Sequence, residues 1–142
     1  MIDISSLENA IAQLETSLKY SESDLAKQDE GIAKQFRAAA IQAFEFTYEI
    51  SHKMLKRYLK DSEASPEVIE ELNFSDLIRT GFAKGLLLGS WDKWRTYRKA
   101  RGITSHTYFE NQAIEVFLQI PEFLKEAKYL RDQINARQST HN

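Results

Sequence analysis

The 142-residue sequence contains no cysteine, only five glycines and two prolines, and no apolar run of the roughly 18 residues that a membrane-spanning helix needs. Without cysteine there can be no disulfide, thiol nucleophile or thiolate metal site. So few glycines and prolines favour long helices over a many-turned β architecture. No stretch alternates apolar and polar residues as a half-buried strand would, and no internal repeat is visible. The first residues include Asp3 and Glu8 rather than a basic, apolar leader, so no signal peptide is expected and the cytoplasm is the expected compartment. A glycine-rich phosphate loop and a Ser/His/Asp order are also missing. The three histidines, His52, His106 and His141, are scattered without an evident carboxylate constellation, so neither a metal nor a cofactor is expected.

A 42% hydrophobic and 28% charged composition is that of an ordinary globular chain, and this length suits one domain with one core. The net charge of −2 gives no global attraction to nucleic acid, but the charges are unevenly placed. Residues 1–30 carry Asp3, Glu8, Glu15, Glu22, Asp24, Asp29 and Glu30 against Lys19 and Lys27. Residues 91–101 carry Lys93, Arg95, Arg98, Lys99 and Arg101 against Asp92. An anionic ligand is therefore to be sought in the second segment.

Ser5 or Ser6 can cap a first helix with Leu7, Ile11, Leu14 and Leu18 on one face, ending between Tyr20 and Lys27. Asp29–Gly31 reads as a turn. From Ile32 to Lys60 apolar residues fall on more than one side, which predicts a central helix; its aromatics Phe36, Phe44, Phe46, Tyr48 and Tyr58 suit core or subunit interface. Ser65-Pro66-Glu67 starts a short helix and Ser75-Asp76 another. In the latter, Gly81 and Gly85 permit either close helix approach or local looseness. Trp91–Arg101 forms a basic helix. After a break at Gly102–Ser105, Thr107 or Glu110 opens the last helix, with Ala113, Ile114, Phe117, Leu118, Phe123, Leu124, Ala127 and Leu130 inward and Pro121 interrupting or kinking it. Residues 136–142 read as a frayed tail. The expected fold is all-α, an antiparallel up-and-down bundle of four to five main helices in a single domain spanning 1–142.

The chemistry concentrates at the break before the last helix. Arg101, His106 and Tyr108 lie within eight residues. Trp91, Trp94, Arg98 and Arg101 recur at spacings of three, four and three, so they share a stripe. A cation is favoured at a helix C-terminus, and backbone N–H groups at the next N-terminus attract anions and disfavour imidazolium. Arg98, Arg101, Ser105 and His106 are thus the candidate nucleotide- or RNA-binding residues. A neutral His106 suits a general base for an RNA 2′-hydroxyl, and Arg101 suits the charge on a phosphorane. The plainer alternatives are capping roles for Arg101 and His106, core roles for Trp91 and Trp94, a solvated face for Lys93, Arg95 and Lys99, and a bundle-edge place for His52.

The Arg101-x4-His106-x-Tyr108 arrangement resembles the signature of HEPN proteins. Thr104-Ser-His-Thr-Tyr108, together with Ile41-Gln-x-Phe-Glu-Phe-Thr-Tyr-Glu49 and His52-Lys-x-Leu-Lys-Arg-Tyr-Leu59, is similar to the group encoded beside a minimal nucleotidyltransferase as its substrate-binding partner. That resemblance implies a homodimeric helical bundle with Arg101 and His106 as the catalytic pair in a cleft near the subunit interface. It implies a minimal nucleotidyltransferase as partner, frequently in a toxin–antitoxin pair, and Tyr108 as the residue that receives AMP. The sequence departs from the pattern at Gly102, where Asn or Asp commonly follows the Arg. Two readings stay open: a metal-independent ribonuclease silenced by its partner, and a non-catalytic subunit that binds nucleotide or substrate.

Overall fold

The computed structural model describes residues 1–106 and 109–139, with the His106 side chain excepted. Leu7, Ile11, Leu14 and Leu18 form the buried face of α1 (Ser5–Ser21), as their spacing predicts. The cap differs from expectation. Asp3 accepts from the Ser5 backbone N–H at 2.9 Å and its hydroxyl at 2.7 Å, so Ser5 opens the helix and the carboxylate ahead of it supplies the acceptor. A short α2 (Asp24–Gln28), capped by Ser23, leads to α3 (Glu30–Ser62). The expected turn at Asp29–Gly31 is the start of that helix, because Asp29 accepts from the Ile32 N–H at 3.2 Å.

α3 touches every other element. It buries Ala40, Phe44, Thr47, Tyr48, Ser51, Leu55 and Leu59 along its length, and each large apolar side chain fully buried contributes about 1.5–3 kcal/mol. Thr47 is small enough to let α1 approach, and its hydroxyl lies 3.2 Å from the Ala10 carbonyl. Phe46, on the opposite side, is exposed. The chain continues through α4 (Pro66–Glu70) and α5 (Phe74–Ala83). α5 is capped by Asn73, which accepts from the Asp76 N–H at 2.9 Å, and not by Ser75 or Asp76. The two glycines of this segment have separate causes. A methyl group on Gly81 would stand 3.0 Å from Leu55, whereas Gly85 turns the chain with φ of 76°.

α6 (Trp91–Gly102), the 3₁₀ turn η1 (Thr104–His106) and α7 (Glu110–Ser139) complete the chain. Contacts give the directions: Ile2 meets Gln138 and Glu15 meets Lys128, so α1 and α7 are antiparallel. Tyr20 meets Phe36 and Ala10 meets Thr47, so α1 and α3 are also antiparallel. Lys93 pairs with Glu122 and Trp94 with Glu126, which sets α6 against α7. The result is the expected all-α, up-and-down bundle, its four main helices being α1, α3, α6 and α7.

Several expectations for α7 are revised. Of interruption or a kink at Pro121, interruption does not occur: α7 runs from Glu110 to Ser139 with the proline inside it. Ile114 and Leu118 are exposed, the latter at 69%, because the buried positions follow Ala113, Val116, Ile120, Phe123 and Ala127, a stripe that leaves 114 and 118 off-centre. Ala136–Ser139, expected to fray, are helical, and Gln138 exchanges hydrogen bonds with Ile2. Residues 140–142 lie outside those described.

Among the described residues Glu126 is the buried acid of the core, 1% exposed. Its carboxylate accepts from the N–H groups of Leu88 and Gly89, each at 2.7 Å, and from the Trp94 indole at 2.9 Å. Burial pushes its pKa above the ordinary carboxylate value, against the opposing pull of these three donors. Replacing it with Ala strands three N–H groups away from water. Glu126→Ala should lower the unfolding free energy by about 3 kcal/mol or more in urea denaturation. Glu122→Ala, one turn away and exposed, should change it by no more than about 0.5 kcal/mol.

Candidate functional site

The α6 stripe that the sequence predicts is present, but its members divide. Trp94 is fully buried, packed edge-on against Phe123 and Tyr97, so it belongs to the core. Trp91 is half-buried against Phe74. Arg98 lies over that same Phe74 ring at 5.0 Å, where the ring's electron-rich face attracts the cation. Arg101 comes one turn later, at the C-terminal end of α6.

Arg101 is held from the central helix. Its Nε donates to Glu49 Oε1 at 3.0 Å, one terminal nitrogen lies 3.4 Å from Glu45 Oε1, and the other donates to Thr104 Oγ1 at 3.2 Å. The Thr104 hydroxyl in turn donates to the Arg101 carbonyl at 2.8 Å, closing the end of α6 onto η1. Glu49 has a second tie, because its Oε2 lies 3.2 Å from His52 Nε2. The Arg101 side chain is 30% exposed, Glu49 36% and His52 23%. A guanidinium carries five N–H donors, so the contacts to the described residues leave an N–H on each terminal nitrogen for another acceptor.

His52 is not the peripheral residue that its sequence context suggests. Its ring packs against Tyr48 and edge-on to Phe74. That burial, reinforced by Lys53 and Lys56, pushes its pKa below the ordinary 6.5 despite the opposing effect of Glu49. Burial alone would raise Glu49, but His52 and Arg101 together hold it below the ordinary 4.5. The neutral imidazole therefore carries its proton on Nε2 and donates it to an ionised carboxylate. Glu45, Glu49 and His52 fall at spacings of four and three, one face of α3, and this periodicity is the signal in the sequence that points to them.

Of the remaining candidates, Ser105 is exposed on η1. His106 ends η1, one turn beyond Arg101, with its side chain outside the described part; Tyr108 also lies outside the described residues. No three His, Cys, Asp or Glu side chains among the described residues converge to hold a metal ion, and no described helix is long and apolar enough to cross a membrane. A groove of about 640 Å³ between α1 and α3, lined by Ala12, Thr16, Ala39, Ala43, Tyr20 and Phe46 among others, does not include Arg98, Arg101 or Ser105.

A helical bundle with an arginine clamped at the end of its third main helix defines the class, and comparison with known proteins gives the family. Residues 2–136 match the family described as Nucleotidyltransferase substrate binding protein like, and the chain belongs to it. The probable ribonuclease HepT of Haemophilus influenzae is 43% identical over 100 residues, covering 70% of this chain and 68% of that one. A Haemophilus influenzae structure described as revealing the fold of a substrate binding domain of a nucleotidyltransferase superposes with a TM-score of 0.86 at 35% identity, covering 94% and 99% of the two chains. A Thermus thermophilus structure gives 0.65 at 26% identity, covering 90% and 98%.

The pH dependence of stability follows from the two depressed pKa values. Both groups favour the folded state above their ordinary values. As pH falls below 6.5 the unfolded chain takes up the His52 proton first, and below 4.5 the Glu49 proton, so stability is lost stepwise with acid. Between about pH 7 and about pH 5, urea denaturation should show the wild type losing more stability than His52→Gln, which does not titrate.

Proposed function

We propose that this chain is the HEPN-type partner of a minimal nucleotidyltransferase in a two-component, toxin–antitoxin-like system. In this reading one helical domain spanning 1–142 acts in the cytoplasm as a homodimer, and the α6–α7 junction takes the phosphate of RNA or a nucleotide. The observation that carries it is Arg101, anchored through Nε by Glu49, with one terminal nitrogen on Glu45 and the other on Thr104 of η1, the turn whose last residue is His106. The relative described as a probable ribonuclease supports RNA as substrate.

The reaction needs no metal. His106 takes the proton of a 2′-hydroxyl, whose oxygen attacks the adjacent phosphorus. The bond to the 5′-oxygen breaks, leaving a cyclic phosphate and a 5′-hydroxyl. Arg101 neutralises the phosphorane oxygens, and Arg98 and Ser105 hold neighbouring phosphate. In the second copy of the dimer, His106 in its protonated form supplies the proton for the leaving oxygen, so that one imidazole gains a proton as the other loses one. AMP attached to Tyr108 places a phosphodiester anion and a base beside this pair and competes with RNA for charge and space.

The second reading, a non-catalytic subunit that presents nucleotide or substrate, is favoured by two features: Glu45 and Glu49 offset the charge of Arg101, and Gly102 stands where Asn or Asp is common. A Cβ at Gly102 would meet none of the described residues within 4 Å, so the first atom of an Asn side chain has room in Gly102→Asn. For a ribonuclease, His106→Ala should abolish cleavage of a labelled single-stranded RNA while leaving the dimer intact in sedimentation, and cleavage at the wild-type rate would remove His106 from the mechanism. Cleavage absent in the wild type but present in Gly102→Asn would establish the binding reading for the natural chain. After coexpression with the nucleotidyltransferase, mass spectrometry should find AMP on Tyr108; neutralisation without that modification would point to inhibition by contact.

A further inference from the structure

We infer that His52 is a positioning residue for Arg101, acting through Glu49. The inference rests on the reading of Arg101 as the anion-binding group and adds what fixes its direction. A guanidinium on a flexible side chain recognises phosphate well only when its planar fork is already turned the right way.

The geometry supplies that fixation in steps, each from a different element. Phe74 at the start of α5 and Tyr48 on α3 pack against the His52 ring, at centroid distances of 5.4 and 5.5 Å, and restrict its rotation. Its Nε2 meets Glu49 Oε2 at 3.2 Å, which leaves Oε1 for Arg101 Nε at 3.0 Å. With both oxygens engaged, the plane of the Glu49 carboxylate is set. That plane sets the guanidinium, whose far side is tied to Thr104 Oγ1. Glu45, by contrast, contacts Arg101 at 3.4 Å and is 41% exposed. An incoming phosphate therefore displaces Glu45 and leaves Glu49 in place.

Only a side chain that donates from the Nε2 position can hold Glu49 in this way, which separates positioning from mere filling of space. Gln places an amide nitrogen where the imidazole has Nε2, whereas Leu fills similar volume and donates nothing. In the full-length protein labelled with nitrogen-15 at arginine, the Arg101 Nε–H resonance, assigned by its loss in Arg101→Lys, reports whether the guanidinium is held. It should exchange slowly with water in the wild type and in His52→Gln, and rapidly in His52→Leu. The rate of RNA cleavage at saturating substrate should fall about tenfold in His52→Leu, a loss of roughly 1.4 kcal/mol, and be restored in His52→Gln. Melting temperatures measured alongside identify any loss due to unfolding.

A slowly exchanging Arg101 Nε–H in His52→Leu would overturn the inference, as would wild-type cleavage by that variant. If the wild type cleaves no RNA, the ribonuclease reading falls and titration with inorganic phosphate replaces the rate, with the same ordering of variants expected. Arg101→Ala with unchanged cleavage and unchanged phosphate affinity would remove the anion site itself. The resonance would then still decide whether His52 holds the guanidinium.

Discussion

A single buried carboxylate decides where the third main helix sits. Glu126 accepts three N–H groups, two from the backbone between α5 and α6 and one from the Trp94 indole. Apolar packing alone tolerates sliding and rotation of α6, because one aromatic ring can substitute for another against Phe123. Three directional bonds to one carboxylate do not. They set both the height of α6 along α7 and its rotation, and Arg98 and Arg101 follow one and two turns beyond Trp94. The position of the candidate site thus depends on an interaction at the other end of the helix that carries it.

From there the polar contacts build outward. Arg101 reaches back to α3, the helix that meets every other element, and its partners Glu45 and Glu49 stand on the same helix as the core residues Phe44 and Tyr48. A guanidinium between two carboxylates is a well-ordered cation with little net charge around it. Its contribution to binding lies in direction more than in long-range attraction, which suits a ligand brought by a partner protein or by an extended polymer. Arg98, on the aromatic face of Phe74, supplies positive charge nearby without being tied to a carboxylate among the described residues.

Much of this architecture is legible in the sequence. The spacing of Leu7, Ile11, Leu14 and Leu18 gives α1, and the unbroken run through Phe44 and Tyr48 gives α3. What periodicity cannot supply is a polar contact between distant residues. Glu126 sits among Lys125, Lys128 and Glu122 and reads as one more charge on a solvated helix, since nothing near it announces the three donors arriving from residues 88–94. Glu45, Glu49 and His52 show their shared face in their spacing, but the partner that gives the face its role, Arg101, is some fifty residues off. Ile114 and Leu118 mislead in the opposite sense, because their apolar character reads as burial although the stripe through Val116 and Ile120 passes beside them. Pro121 breaks no helix: in a bundle this long, tertiary packing outweighs one missing backbone bond.

Gly102 combines two properties that seldom meet at one position next to a candidate site. Its neighbour Arg101 is fixed on several sides, yet the space where its own side chain would begin is empty. Nothing among the described residues opposes the first atom of a side chain there, so exchange between glycine and a polar residue meets no clash at Cβ. Among relatives sharing this bundle, the chemical temperament of the junction can vary faster than the shape that supports it.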